Sequence, residues 1–319
     1  MRGTRRVMLD SPAYFRTLGW LGKTSTTGEA AWLERPLPWG DWDARGSWPY
    51  QSLPSETLLQ RLYEAEAANG QRLLTWTGVI RPDQGLAKDV NDRLKRLASH
   101  CASCWRPLKE HLGHVPDRPS ARQHYSARTR RRLREAQRQL QVELEPLSEQ
   151  HRCIATWQEA LRRLRGIPRA SSPDAAHFEG LIQLATEYPT ALPTITLRHR
   201  SDGTLGGLCL AVQDASDSPS WHLHSLFCDA RARKSFGAYT LFDTAIECWG
   251  AEPIWWGGQP ATAEGVGIWR FKQRFSNASA PAHLLCLELD PTRLREIRAS
   301  RPLYAWLPDY RDPVLELLV

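Results

Sequence analysis

Apolar and polar positions change their spacing several times along this chain, and each change predicts an element. Leu58, Leu59, Leu62 and Tyr63 recur at helical spacing and Gly70 stops the run, so a helix is expected over Glu56–Asn69. Residues 72–80, rich in Leu, Trp, Thr and Val, predict a strand, and 87–99 a further helix. Pro36, Pro38, Gly40, Gly46, Pro49 and Pro54 break any long element before residue 55. Residues 107–120 read as a loop region, with a junction near 116–120.

The second part opens at Ser126, a residue suited to capping the Arg-rich helix after it. A short strand over 142–144 follows, then helices over 149–164 and 172–188. The spacing then turns to alternation, with strands over 194–199, 205–213 and Ser220–Cys228 and a turn at Asp202-Gly203. A helix over 236–249, a buried strand over 253–256, a helix over 265–275 and a strand over 282–289 complete the run, and Pro291 opens a last helix. Adjacent antiparallel strands followed by strand–helix–strand predict an α/β (α+β) fold, a mixed, mostly antiparallel sheet flanked by helices. Two domains are expected, a reduced one over 1–120 and a larger one over 121–319.

Composition narrows the class. With 319 residues, 41% hydrophobic and 24% charged, the chain is no collagen, coiled-coil rod or strongly disordered polymer. No apolar stretch is long enough for a membrane-spanning helix. Arg2, Arg5 and Arg6 are followed by no apolar run, so no cleaved secretory signal is expected. Seven Cys without paired spacing predict reduced thiols and a cytoplasmic protein. The net charge of +7 is concentrated: residues 121–140 hold seven Arg (122, 128, 130, 131, 132, 134, 138) against Glu135 alone, a balance of +6. Such a patch suits phosphate, of a nucleic acid or a cofactor; the plain alternative is a solvated helix face.

Several groups have the chemistry of a site. The strand 221–228 runs into Arg231, Arg233, Lys234, Ser235, Phe236, Gly237 and Ala238, where backbone N–H groups at a helix start, with nearby cations, suit phosphate. Gly257-Gly258 permits close approach of a ligand, or simply a tight turn. His222 and His224 share a face of their strand, as candidate bases or as ordinary sheet residues. Asp229 and Glu264 are the acidic candidates, and Cys228 a candidate nucleophile beside either histidine. His100, Cys101, Cys104, His111 and His114 have zinc-ligand residue types, but the gap between Cys104 and His111 is too short for the usual finger, so free thiols and no metal are expected.

Three pieces resemble the GCN5-related N-acyltransferase (GNAT) superfamily, in the branch of Fem-type peptidoglycan-bridge aminoacyltransferases and cellulose-biosynthesis-like acyltransferases. They are Tyr125-Ser126-Ala127-Arg128-Thr129-Arg130-Arg131-Arg132-Leu133-Arg134 before Val142-Glu143, Lys234-Ser235-Phe236-Gly237-Ala238-Tyr239, and Trp255-Trp256-Gly257-Gly258 followed by Trp269-Arg270-Phe271-Lys272-Gln273-Arg274-Phe275. The resemblance covers about residues 121–290, and the segment 105–109 resembles the family's lead into the basic helix.

The resemblance implies transfer of an acyl or aminoacyl group to a small-molecule or peptide amine, with acyl-CoA or aminoacyl-tRNA as donor substrate and no tightly bound cofactor. It implies a donor in an opening between two parallel strands, 221–228 and 253–256, held by Arg233, Lys234, Gly237, Ala238, Gly257 and Gly258. Catalysis would fall to His222, His224, Asp229 and Lys272, with Lys272 on a phosphate or the developing oxyanion or, in the plain alternative, facing solvent. Arg128, Arg131, Arg132, Trp269, Arg270 and Arg274 would bind phosphate or acceptor. Phe236 departs from the family, standing where a Gly often does. The competing expectation is a non-catalytic nucleic-acid-binding or scaffold protein on a degenerate GNAT fold, with the opening filled by Trp221, Trp255 or Phe236.

Overall fold

The computed structural model describes residues 11–19, 21–27, 30–47, 56–70, 72–80, 102–164, 175–188, 192–214, 219–258, 265–300, 303 and 308. In chain order it begins with α1 (Pro12–Phe15), β1 (Lys23–Thr27), β2 (Ala30–Pro36), β3 (Trp42–Arg45), α2 (Glu56–Asn69) and β4 (Leu73–Ile80). There follow β5 (Ala102–His114), α3 (Ala127–Gln139), β6 (Leu140–Pro146), α4 (Cys153–Leu164), α5 (Ala175–Glu187), β7 (Pro193–His199) and β8 (Leu205–Asp214). The last are β9 (Ser220–Cys228), α6 (Ala230–Lys234), α7 (Gly237–Trp249), β10 (Ile254–Gly258), α8 (Gly265–Gln273), β11 (Ala278–Glu288) and α9 (Pro291–Ser300). The helix expected over 87–99 lies outside the described residues, as do Glu264, His100 and Cys101.

These elements form two compact units, each assembled from separate stretches of chain. The first holds residues 110–161 and 178–280. Its strands lie in the order β6-β7-β8-β9-β10-β5, antiparallel except for β9 and β10. One face is packed by α3 and α7. The Ser126 hydroxyl accepts the Thr129 N–H at 3.1 Å and starts α3, and Thr129, Leu133 and Ala136 form its buried face. Tyr239, Phe242, Phe271, Phe275, Tyr125 and Trp256 join α7, α8 and β10 through ring centroids 5.0–5.6 Å apart. The aromatic–Arg–Phe–Lys motif is thus, in its two Phe, a packing device.

The second unit holds residues 9–109, 162–177 and 281–319. Its strands run β1-β2-β3-β4-β11, with β3 and β4 parallel and joined by α2. Leu58, Leu59 and Leu62 of α2 bury against Trp32, Ala44, Leu73, Trp76 and Leu285. Leu294 and Ile297 of α9 pack on Leu37 and Leu74.

Two readings change. The segment expected as loop over 107–120 is strand as far as His114, because His111, Gly113 and His114 find partners in Gly258, Trp255 and Ile254, far along the chain. Local propensity carries no trace of that pairing. The Pro- and Gly-broken start also holds three short strands, of which β1 is wholly polar and so shows no alternation. Elsewhere α2 and β9 match their expected bounds, and the helix expected over 149–164 is divided into a 3-10 turn at Glu149–His151 and α4. Phe275 is fully buried at the centre of the ring cluster, so Phe275→Ala should cost about 3–5 kcal/mol, read as a lowered midpoint in urea unfolding.

Candidate active site

Strands β9 and β10 stay together only briefly. Ile254 pairs with Trp221 and Trp255 with His222, while on its other edge β10 stays with β5, from Ile254–His114 through a register shift to Gly258–His111. Among the described residues the β9–β10 ladder ends at His222, while β9 itself runs on to Cys228. Past that point the two parallel strands part, and an opening begins between them. Gly257 turns at φ +77°, a conformation that favours glycine.

A bulge in β9 decides which side chains face which way. Leu210 of β8 pairs with Ser225, but the next residue, Ala211, pairs with Leu223, which leaves His224 as the extra residue. Trp221, Leu223, Leu226 and Cys228 therefore pack on the face of α3 and α7. His224 and Phe227 meet Phe178 of α5 on the opposite face, at 6.4 and 6.1 Å between ring centroids. Both histidines are buried, and the His224 Nδ1 lies 2.8 Å from the Ser225 hydroxyl. Cys228 sits away from them, and burial, then the Asp229 charge, pushes its thiol up to about 12. A thiol so raised holds almost no thiolate at neutral pH, which removes the basis of the nucleophile expectation.

At the end of β9, Asp229 is occupied structurally. One carboxylate oxygen accepts the Ala232 N–H at 2.6 Å and caps α6; the other lies 3.0 Å from Nε2 of buried His199. Arg233 and Lys234 are exposed on α6. Phe236 precedes α7 in the left-handed region, at φ 59°, where a non-glycine residue carries about 1–3 kcal/mol of strain. The Arg132 guanidinium lies over the Phe236 ring at 5.0 Å and the Tyr239 ring at 5.1 Å, and donates to the Tyr239 hydroxyl. Phe236 thus holds the backbone shape a glycine would take, clamped by Arg132. Gly237 is small for packing: a Cβ there would stand 3.0 Å from a Leu197 methyl and 3.1 Å from the Ala232 carbonyl. Ala238 is half-buried beside it.

Lys272 reaches the other arm of the opening. Its Nζ donates to the carbonyls of Gly257 at 3.3 Å and Gly258 at 2.9 Å, and it is half-buried rather than facing solvent. Trp269 packs against the core, while Arg270 and Arg274 are exposed on and just after α8. Arg128 and Arg131 are exposed on α3. The structure therefore brings His222, Gly257, Gly258 and Lys272 together, and Arg132 to the start of α7. It sets Asp229 with His199 and His224 with Phe178. The Arg132–Phe236–Tyr239 stack, the bulge and the His199–Asp229 pair escaped sequence reasoning; only Phe236 in a glycine position signalled the first.

The second unit repeats the antiparallel–parallel–antiparallel order with its β3–α2–β4 crossover, but its parallel pair stays closed. Trp42, Ala44 and Arg45 pair with Leu73, Trp76 and Thr77, and the Gly46 N–H donates to the Thr77 carbonyl at 2.7 Å. The opening belongs to the first unit.

No family model and no curated protein matches the sequence. Solved structures do. A conserved protein of unknown function from Bacteroides thetaiotaomicron has TM-score 0.55 and 9% identity over 89% of this chain and 93% of that one. The C-terminal (DUF2156) domain of a candidate lysylphosphatidylglycerol synthetase from Agrobacterium fabrum has TM-score 0.52 and 14% identity, over 92% and 91%. A tandem GNAT protein from the clavulanic acid biosynthesis pathway overlaps more loosely, at TM-score 0.41 and 11% identity over 84% and 82%. At these identities the likeness is one of fold. The architecture is the one expected from the sequence, mixed α/β with mostly antiparallel strands flanked by helices.

Burial, and after it the Lys272 charge, holds the His222 imidazole near pKa 3, well below its ordinary value. The unfolded chain takes up this proton below about pH 6.5, whereas the folded chain does so only near 3. His222 therefore withdraws stability as pH falls through that window and costs nothing above it. Its ring resonances should stay flat from pH 8 to 5 in an NMR titration, and a midpoint above 6 would contradict the geometry.

Proposed function

We propose that the first unit transfers an acyl or aminoacyl group from an activated carbonyl donor to an amine, in the opening between β9 and β10. The observation that carries this reading is the early end of the parallel ladder, at Trp255–His222, past which β9 runs on to Cys228 and β10 to Gly258. An extended amide-bearing donor can add to that edge as a further strand would. The rings expected to fill a degenerate opening are engaged elsewhere. Trp221 stacks on Trp249 at 5.4 Å, Trp255 packs where a Gly113 Cβ would otherwise stand, and Phe236 lies under Arg132. This favours an enzyme over a scaffold.

In this reading the donor is a CoA thioester or an aminoacyl-tRNA ester. Its phosphates would lie near Arg233 and Lys234 at the start of α7, and the exposed Arg128 and Arg131 suit a longer polyanion. The amine attacks as the neutral base. A C–N bond forms, the C–S or C–O bond breaks, and the thiol or hydroxyl leaves with a proton. Backbone N–H groups of β9 would take the oxyanion. His222, with a pKa near 3, is a poor proton acceptor, so the amine proton passes to water. Holding the two reactants together supplies much of the rate.

Hydroxylamine serves as a surrogate acceptor. With acetyl-CoA or bulk aminoacyl-tRNA, the protein should form hydroxamate above the uncatalysed background from one of the two donors. Gly257→Val, which forces a branched side chain into positive φ at the opening, should lower that rate at least 100-fold with an unchanged circular dichroism spectrum. Background rates with both donor classes would overturn the reading.

A further inference from the structure

We propose that Lys272 is a positioning residue, a strut that keeps β10 splayed away from β9, and that it touches neither donor nor acceptor. The proposal rests on the transfer reading only for its consequence in catalysis.

The strut has a fixed foot. Phe271 and Phe275, on either side of Lys272 in sequence, lock into Tyr239 and Phe242 of α7 at 5.1–5.6 Å. Because α7 follows β9 in the chain through α6, the foot stands on the same core that carries β9. The strut also has a defined load. Its ammonium donates to two successive carbonyls, Gly257 and Gly258, in the stretch past the last described β9 partner of β10, where the β10–β5 ladder shifts register between Trp255 and Gly258. Two glycines in a row give that stretch the widest choice of backbone conformations in the strand. An amine on a flexible four-carbon stem can satisfy both carbonyls at once, which a short side chain cannot. Its charge falls beside His222, the last β9 residue paired with β10. The contact therefore sits at the apex of the opening and fixes the arm that β10 contributes.

Three variants separate this role from contact with reacting atoms. Lys272→Met removes the donor, Lys272→Gln keeps a donor without charge, and Lys272→Arg keeps both. Hydrogen exchange followed by mass spectrometry reports the strut with no substrate present. A peptide covering residues 254–258 should exchange at least tenfold faster in the Met variant, and near the wild-type rate in Gln and Arg. In hydroxamate assays with acetyl-CoA or aminoacyl-tRNA, Met should raise the donor KM at least tenfold with kcat within threefold, and Gln should recover most of the loss. Unchanged exchange in the Met variant overturns the proposal. So does a 100-fold fall in kcat at constant KM shared by Met and Gln, which would mark the charge as acting on the reaction itself. If neither donor supports transfer even in the wild type, the functional reading fails while the exchange result still decides whether Lys272 is a strut.

Discussion

A β-strand has two edges, and β10 keeps its β5 ladder past the point where its described β9 ladder ends. Ile254 and Trp255 pair with β9 on one edge and with β5 on the other, whereas Gly258, among the described residues, keeps only its β5 partner. The rest of the first unit is arranged around that division. β9 runs on past the parting, β10 stays on β5 through a register shift between Trp255 and Gly258, and Lys272 donates to the Gly257 and Gly258 carbonyls. An open sheet edge inside a folded unit is ordinarily a liability. Here it is flanked by packed helices, and in the proposed reading it is covered by a donor that pairs through amides.

The second unit shows the same order of strands without the parting. Its β3 and β4 remain paired through Arg45 and Thr77. The comparison isolates the cause. Both units place a helix between parallel strands, so the crossover alone opens nothing. What distinguishes the first unit is the pair of glycines just past the last β9–β10 pair, with Gly257 at φ +77°. Asp43, Arg45, Thr75 and Thr77 of the second unit are buried instead within its own sheet, where Thr75 donates to Asp43 at 3.1 Å.

Much of the architecture was legible locally. α2, α7 and the strand run β7–β9 were readable because each buries one face, and burying one face imposes a period on the sequence. The first three strands and β5 were not, since β1 is polar throughout and β5 is held by residues about 140 positions away. The candidate site was legible in its pieces. Gly257, Gly258, Lys272 and His222 were singled out by residue type and do come together. Their roles were not legible: Lys272 holds backbone, Asp229 caps a helix, and a bulge at His224 reverses the alternation beyond it.

Sequence alone determined the class of fold, the concentration of positive charge on one helix, and which residues have the chemistry to matter. These depend on local pattern and composition. Tertiary structure alone decided where β10 parts from β9, which of the seven arginines turns inward onto Phe236 and Tyr239, and which acids are already satisfied. Such outcomes depend on hydrogen-bond partners and ring contacts between segments distant along the chain, and no local spacing encodes them.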